Sequence, residues 1–174
     1  MTENGSIKAI ISKEEIQAAV ERMGKRLTED YAGKNLLVLG VMKGSFIFMA
    51  DLVRSIRLPI KLDFIHAKSY EGTESTGVVD VKMDSELDVK GKQVLLVEDI
   101  LDTGKTLSVL KKTMLSRGAE DVKIVAFLDK TARRLVDISA DYSCFTIEDG
   151  FLVGYGLDYN EDYRNLDYIG ELIL

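Results

Sequence analysis

The sequence predicts an α/β fold in which helices flank a central, mostly parallel sheet. Segments with helical spacing alternate with strand-like runs along the chain, a pattern typical of this class. The runs at residues 36–41 and 93–97 are continuous aliphatic stretches, which indicates strands buried inside the protein. The chain of 174 residues is long enough to bury a sizeable core, and no repeat or linker divides it. We therefore expect one domain over residues 1–174.

Composition and charge exclude several classes of function. With 46% hydrophobic and 30% charged residues, the chain is typical of globular proteins rather than disordered ones. No apolar run approaches the roughly 20 residues that span a bilayer, and the N-terminus lacks a signal-peptide pattern, so no membrane partner is expected. The formal net charge of −6 provides no positive field to attract nucleic acid. A single cysteine, Cys144, fits a reducing compartment and predicts a cytoplasmic location.

The first helix has a clear start signal. Ser12 and Glu15 have the spacing of a capping box, and Ile11 and Ile16 that of a hydrophobic staple. Apolar residues then recur at helical spacing, which predicts one face docked on the body: Ile16, Ala19, Val20, Met23 and Leu27.

The next elements are read from changes in hydrophobic pattern. A buried strand at 36–41 breaks at residues 42–45, and a helix follows over 46–56. After Pro59, apolar residues alternate at Ile60, Leu62 and Phe64, which predicts a second strand.

The second half of the chain continues the alternation. Residues 71–77 are small, polar and glycine-bearing, which predicts a mobile loop between two strand-like runs. A strand over 93–97 leads to a turn centred on Gly104 and then a helix, which we expect to end near Gly118. The remaining strand candidates are residues 122–128 and 142–147.

The stretch most informative about function is Val-Leu-Leu-Val-Glu-Asp-Ile-Leu-Asp-Thr-Gly-Lys-Thr at residues 94–106. Glu98 and Asp99 follow a buried strand, and ligands of open α/β sheets bind beyond the carboxyl ends of such strands. Residues 102–106 enter a helix with glycine, lysine and hydroxyl groups, and the N–H groups of a helix N-terminus can wrap a phosphate. Two carboxylates beside a phosphate suit ribose hydroxyls, Mg²⁺, or both.

Three alternative interpretations of this stretch and its surroundings are weaker. A nucleoside-triphosphate P-loop requires glycine five positions before Gly104, where Asp99 stands. A dinucleotide-binding fingerprint fails because Tyr159 occupies the place of the third glycine after Gly154 and Gly156. A capped helix with surface acids would not require two acids, glycine, lysine and hydroxyls to fall together.

Residues 94–106 resemble the phosphoribosyl-pyrophosphate (PRPP) signature of type I phosphoribosyltransferases. The resemblance is strongest to the hypoxanthine-guanine branch, in which Glu-Asp precedes Asp-Thr-Gly at this spacing. Residues 42–44 resemble the family's pyrophosphate loop, where a non-proline cis peptide is usual. Residues 68–70 resemble its flexible lid, and residues 151–159 with Arg164 resemble its C-terminal base- and pyrophosphate-binding region. The implied architecture is the type I phosphoribosyltransferase fold with a small C-terminal hood over the base site.

The resemblance also implies an activity. The expected reaction joins hypoxanthine or guanine to the ribose of PRPP, forming IMP or GMP and pyrophosphate, with Mg²⁺ as cofactor. The expected partners are therefore small-molecule substrates, without nucleic acid or membrane, and the family implies a homodimer or homotetramer.

Individual roles follow from the same resemblance. Asp102 is expected near purine N7 as the general base, and Ser69 and Tyr70 belong to the lid. Glu98, Asp99 and Asp158 are the expected Mg²⁺ ligands. The base-binding residues are Lys130, which donates to the 6-oxo group, Phe151, Leu152 and Asp158. The PRPP- and phosphate-binding residues are Lys43, Gly44, Glu98, Asp99, Asp102, Thr103, Gly104, Lys105, Thr106 and Arg164.

Some alternatives remain open at this point. The chain has Glu148 and Asp167 where many bacterial members of the branch carry proline, and Gly150 where a charged residue is common. The preference among hypoxanthine, guanine and xanthine is therefore open. A regulatory protein that kept the PRPP fold without catalysis, and a pyrimidine or orotate phosphoribosyltransferase, are the rival functions.

Overall fold

A computed structural model describes residues 6–67 and 88–173. Its elements alternate along the chain as the sequence predicts, with a 3₁₀ turn over Thr131–Arg133 between the fifth and sixth strands. In chain order they are β1 (Ser6–Ile11), α1 (Lys13–Asp30), β2 (Leu36–Met42), α2 (Phe46–Ser55), β3 (Lys61–His66), β4 (Gln93–Leu101), α3 (Lys105–Ser116), β5 (Asp121–Lys130), β6 (Tyr142–Ile147), β7 (Leu152–Val153) and β8 (Ile169–Ile173).

The central sheet has five parallel strands in the order β3-β2-β4-β5-β6. Val38 and Leu95 pack on the side of α1 and α2, whereas Leu37 and Leu96 pack on the side of α3. Because both faces are covered, the middle positions of the central strands are apolar on both sides. This double burial explains the continuous aliphatic runs and confirms the α/β prediction.

Helix α1 begins as the capping pattern predicts. The Glu15 amide donates to Ser12 Oγ at 3.2 Å, and the Ser12 amide donates to a Glu15 carboxylate oxygen at 2.8 Å. These two bonds satisfy amides that have no partner within the helix. The predicted apolar face of α1 is buried against the body.

Two predicted strands differ in detail from the structure. Strand β3 forms at the sheet edge, but Leu62 and Phe64 are 44% and 41% exposed while Ile65 is buried. Strand β4 continues to Leu101, four residues beyond the predicted end, because it keeps pairing with β5 up to Asp129. The predicted end of α3 is confirmed, since Gly118 follows the helix with a φ of +90°.

A second sheet of three antiparallel strands, in the order β1-β8-β7, was not predicted. It joins the start of the chain to its C-terminal part, with Ser6 opposite Ile173 and Leu152 opposite Glu171. Strand β7 has only two residues, and β1 is largely exposed, so neither leaves a strong pattern in the sequence. This sheet supplies the C-terminal hood that the resemblance implies.

The lid residues Ser69 and Tyr70, and the loop predicted over 71–77, lie outside the described residues. Within the described ranges, no helix has the length and apolar character needed to cross a membrane. The single domain over residues 1–174 stays a prediction.

Residues 154–168, between β7 and β8, form the C-terminal segment, and Tyr155 attaches it to α2. Its hydroxyl donates to Asp51 at 2.6 Å, and its ring lies 4.8 Å from the ring of Phe127 on β5. Burial and the Asp51 carboxylate raise the pKa of Tyr155, so the phenol remains a donor at neutral pH.

We expect Tyr155→Phe to lower the free energy of unfolding by about 1.5 kcal/mol, since a buried hydrogen bond to a carboxylate is lost. Urea denaturation measures the change. The matched control is Tyr163→Phe, at a half-buried tyrosine of the same segment, where a change within about 0.5 kcal/mol is expected. Equal losses in the two variants would contradict the anchoring role.

Candidate functional site

The candidate site lies at the carboxyl edge of the central sheet, where three segments of the chain touch. A Cβ atom on Gly44, after β2, would lie 1.6 Å from an Asp99 carboxylate oxygen of β4. A Cβ on Gly156, in the C-terminal segment, would lie 2.1 Å from the Gly44 carbonyl oxygen. Such distances are far inside van der Waals contact. A side chain at position 44 would displace the Asp99 carboxylate, and one at position 156 would overlap backbone, so glycine is required at Gly156.

The turn after β2 has the geometry that the resemblance implies. The peptide bond between Met42 and Lys43 is cis. Ser45 is fully buried, and its Oγ donates to the Val41 carbonyl at 2.7 Å, which ties the turn back to the strand before α2 begins. Lys43 stays exposed, and its Nζ lies 3.0 Å from a carboxylate oxygen of Glu161.

Glu98 and Asp99 lie within the last residues of β4 rather than after it. The Asp99 amide donates to a Glu98 carboxylate oxygen at 3.2 Å, and the Ile100 amide donates to an Asp99 carboxylate oxygen at 2.7 Å. Burial raises the pKa of both carboxyl groups, and the negative charge of Asp99 raises the pKa of Glu98 further. The pair is therefore an electrostatically costly arrangement that a bound cation would relieve.

The turn from β4 to α3 carries Asp102 and the start of the helix. Gly104 is the N-cap of α3 with a φ of +81°, so Lys105 and Thr106 form the helix's first turn. The amides of a helix N-terminus carry partial positive charge and bind anions. Among the described residues, two buried side-chain atoms have no hydrogen-bond partner, Asp102 Oδ1 and Arg164 Nε. Each therefore has unused hydrogen-bonding capacity in the folded chain.

Lys130 ends β5 with its side chain 4% exposed. Its Nζ donates to the Gly150 carbonyl at 2.9 Å and lies 3.2 Å from an Asp149 carboxylate oxygen. Gly150 has a φ of +120°, which few residues other than glycine adopt, so the departure from the family pattern suits the local backbone. Lys130 thus holds the loop that precedes Phe151.

Phe151 and Leu152 differ in exposure. The Phe151 side chain is 48% exposed, and its ring contacts the edge of the Tyr159 ring at a centroid distance of 5.4 Å. Leu152 is buried in β7, where it pairs with Glu171. An exposed aromatic ring that packs against a neighbouring ring on one side can stack on a planar ligand.

Arg164 is the centre of a network of charges in the C-terminal segment. It donates to the Gly156 carbonyl at 2.7 Å and pairs with Asp158 at 2.9 Å and with Glu161 at 3.4 Å. Because Lys43 also pairs with Glu161, one exposed carboxylate lies against two cations. The hydrogen bond from Lys43 lowers the pKa of Glu161.

Three residues in contact with this site were not singled out from the sequence. Glu161 contacts Lys43 and Arg164, while Arg134 pairs with Asp129 at 2.6 Å and contacts the turn that carries Asp102. Glu161 lies inside the segment that resembles the family's C-terminal region, which was the available signal. Arg134 and Asp129 had none, because their contacts depend on how the turn after β5 folds.

The predicted residues that the structure describes therefore lie along one edge of the fold, and only some of them contact one another. The pyrophosphate-loop, acidic and C-terminal groups touch directly, while Lys130 and Phe151 are joined through the loop at Gly150. Within residues 6–67 and 88–173, no group of three or more His, Cys, Asp or Glu side chains is arranged to hold a metal. The lid residues Ser69 and Tyr70 are outside the described ranges.

A parallel sheet with paired acids and a helix N-terminus at its carboxyl edge has the arrangement at which open α/β sheets bind their ligands. Residues 6–160 match the phosphoribosyl transferase domain family, and the chain belongs to that family. It is therefore a phosphoribosyltransferase.

Relatives resemble the chain over nearly its whole length. It is 51% identical over 173 residues to the hypoxanthine-guanine phosphoribosyltransferase of Streptococcus pneumoniae strain R6, covering 99% of this chain and 96% of the relative. A crystal structure of a Staphylococcus aureus hypoxanthine phosphoribosyltransferase matches with a TM-score of 0.91 and 45% identity, over 95% of this chain and 90% of that one. A Bacillus anthracis hypoxanthine-guanine phosphoribosyltransferase structure matches with a TM-score of 0.91 and 41% identity, over 98% and 100%. These likenesses confirm the predicted family and fold.

The acid pair predicts a pH-dependent gain of stability in Glu98→Gln. The pKa of Glu98 in the folded protein is raised above its ordinary value of 4.5. The protonated carboxyl group therefore contributes stability that is fully present below pH 4.5 and is lost as the pH rises through the folded-state pKa, where the buried group ionises. We expect the variant to melt roughly 2–4 °C above the wild type at pH 8 without added metal, and close to it at pH 4.

Thermal denaturation at the two pH values measures this effect. The control is Glu120→Gln, at an exposed glutamate after α3, which should melt like the wild type at both. A lower melting temperature for Glu98→Gln than for the wild type at pH 8 would contradict the claim that ionised Glu98 destabilises the fold.

Proposed function

We propose that this chain transfers the 5-phosphoribosyl group of PRPP to N9 of hypoxanthine or guanine, forming IMP or GMP and releasing pyrophosphate. The observation that carries this proposal is Asp102, whose buried Oδ1 has no hydrogen-bond partner and lies in the turn that opens α3. A carboxylate there can accept a proton from a base that is bound beside the ribose.

The phosphate and ribose of PRPP are proposed to bind along this turn. The 5-phosphate is held by residues 102–106, where the α3 N-terminus directs its first amides outward. Glu98 and Asp99 accept hydrogen bonds from the ribose hydroxyls. The pyrophosphate lies between Lys43 and Arg164, beside Gly44, and its charge replaces the carboxylate of Glu161 against both cations.

Mg²⁺ is proposed as the cofactor, and the donors present fit it. Mg²⁺ prefers hard oxygen ligands and is usually bound by one or two carboxylates together with substrate phosphates. Glu98 and Asp99 provide that pair. Burial raises the pKa of both carboxyl groups, so a nearby cation would stabilise their ionised forms. A second contact is proposed at Asp158, which must then share its oxygens with Arg164. When bound, the ion neutralises charge on the leaving pyrophosphate.

The purine is proposed to bind between Lys130 and Phe151. An ammonium group has three donors, and two of those on Lys130 are engaged by Gly150 and Asp149, which leaves one for the 6-oxo group. Adenine carries an amino group there and offers that donor no acceptor, which disfavours its binding. The exposed Phe151 ring stacks on the base, with the Leu152 backbone and Asp158 at its edge.

The proposed chemistry follows from this arrangement. N9 attacks the anomeric carbon as the bond to pyrophosphate breaks, and Asp102 takes or shares the N7 proton. Positive charge develops on the ribose, so alignment of the substrates and stabilisation of the departing pyrophosphate supply most of the rate enhancement. The lid residues Ser69 and Tyr70 are proposed to close over this centre and exclude water.

The relatives support the choice of base, since the curated ones carry hypoxanthine-guanine phosphoribosyltransferase as their name. A homodimer or homotetramer in the cytoplasm, with no nucleic-acid or membrane partner, remains part of the proposal.

The deciding test is nucleotide formation from PRPP and Mg²⁺ with hypoxanthine, guanine, xanthine, adenine, orotate or uracil, followed by ultraviolet absorbance. We expect turnover with 6-oxopurines only. Asp102→Asn keeps the shape of the side chain but cannot accept the proton, so kcat should fall by roughly 10²- to 10⁴-fold. Asp137→Asn, at an exposed aspartate, is the matched control and should keep the wild-type rate.

Other outcomes would favour the rival functions. No turnover with any base, despite tight binding of PRPP, would indicate a regulatory protein, and turnover of orotate or uracil would indicate a pyrimidine enzyme. An unchanged kcat in Asp102→Asn, with 6-oxopurine turnover intact, would reject only the general-base role.

Lys130→Met tests base recognition separately. Removing the donor should lower kcat/KM for hypoxanthine and guanine by roughly 10²-fold or more, while the affinity for PRPP in the absence of base changes little. Lys123→Met, a partly buried lysine of the same strand, is the control. A parallel loss of PRPP affinity would mean that Lys130 supports the fold of the site instead of reading the base.

A further inference from the structure

Arg134 lies behind the turn that carries Asp102, with its side chain only 15% exposed. It follows the 3₁₀ turn after β5, and its guanidinium is surrounded by acceptors from three parts of the chain. Nε donates to the Asp102 carbonyl at 2.9 Å, and Nη2 donates to the Leu101 carbonyl at 3.4 Å. Nη1 donates to the Ile138 carbonyl.

The charge of Arg134 is balanced by Asp129, which is equally buried. Nη2 lies 2.6 Å from the Asp129 carboxylate, on the residue of β5 directly before Lys130. A buried ion pair with further hydrogen bonds holds its geometry well, since breaking either half leaves an uncompensated charge. Through Arg134, the end of β5 is thus joined to the start of the β4–α3 turn.

Neighbouring contacts also hold residues 134–138 against the β4–α3 turn. The Leu135 amide donates to the Thr103 carbonyl at 3.0 Å. A Cβ on Gly104 would lie 2.4 Å from the Ile138 side chain and 3.0 Å from Arg134 Cδ, so residues 134–138 are packed directly beneath the turn. The carbonyls of Leu101, Asp102 and Thr103 are thus all bonded by residues 134 and 135, which fixes the orientation of the backbone where the turn enters α3.

We infer that Arg134 is a positioning residue that holds the β4–α3 turn in its anion-binding conformation and keeps Lys130 in register with it. This inference rests on the proposed function for the identity of the anion, the 5-phosphate of PRPP. Arg134 acts through the backbone carbonyls of Leu101 and Asp102 and touches no reacting atom. The planar fork of five donors suits several acceptors at once, whereas an ammonium group cannot reach them together.

Arg134→Lys is the first test, because it keeps a positive charge beside Asp129 but loses the fork. We expect its affinity for ribose 5-phosphate, measured by calorimetry, to fall about tenfold, and the KM for PRPP to rise by a similar factor. The variant should stay folded, with a melting temperature lowered by several degrees because bonds to buried carbonyls are lost. Arg117→Lys, at an exposed arginine after α3, is the matched control and should change neither quantity.

The double variant Asp129→Leu/Arg134→Met separates positioning from stability. Replacing both members of a buried ion pair with apolar residues is often neutral or stabilising for the fold. The double variant should therefore stay folded and bind ribose 5-phosphate about tenfold more weakly, since the bonds to the carbonyls are gone.

The outcomes distinguish this inference from the proposed function. Wild-type affinity for ribose 5-phosphate in either folded variant would overturn the positioning role while 6-oxopurine turnover by the wild type stands. Failure of both variants to fold would also overturn it, because Arg134 would then be needed for the fold itself. A wild type that binds ribose 5-phosphate but converts no 6-oxopurine would reject the proposed function alone.

Discussion

The close approach of Gly44 to Asp99 and Gly156 is the contact on which the rest of the site depends. A side chain on Gly156 would overlap the Gly44 carbonyl and push the segments apart, and one on Gly44 would displace the Asp99 carboxylate. With the contact in place, the turn after β2, the acids of β4 and the C-terminal segment share one edge of the sheet. Tyr155 then anchors that segment to α2, outside the region of the acids.

Charge is arranged at this edge for a ligand more than for stability. Glu98 and Asp99 are adjacent and partly buried, and burial raises the pKa of both carboxyl groups. Two cations, Lys43 and Arg164, lie against the exposed carboxylate of Glu161. Surface pairs of this kind contribute little to stability, so an incoming phosphate can replace them at small cost. The same groups that weaken the unliganded fold are those proposed to bind PRPP and Mg²⁺.

Much of the fold was predictable because it depends on local patterns. The capping box at Ser12, the buried runs of β2 and β4 and the helix after Gly104 all follow from residues close in sequence. The full extent of β4 was not predictable, since its last residues are polar or mixed and are strands only because β5 pairs with them. The small antiparallel sheet was missed because its partners are separated by nearly the whole chain.

The sequence by itself determined the family and the order of the elements of the central sheet, and it predicted the residues proposed to carry the chemistry, because these depend on contiguous motifs such as residues 98–106. Only the tertiary structure decided how those motifs meet. Asp102 Oδ1 is left without a partner, Lys130 retains one donor, and Arg134 reaches the carbonyls of Leu101 and Asp102. These contacts join residues from different strands, and their distances depend on packing at the sheet edge, which no local pattern encodes.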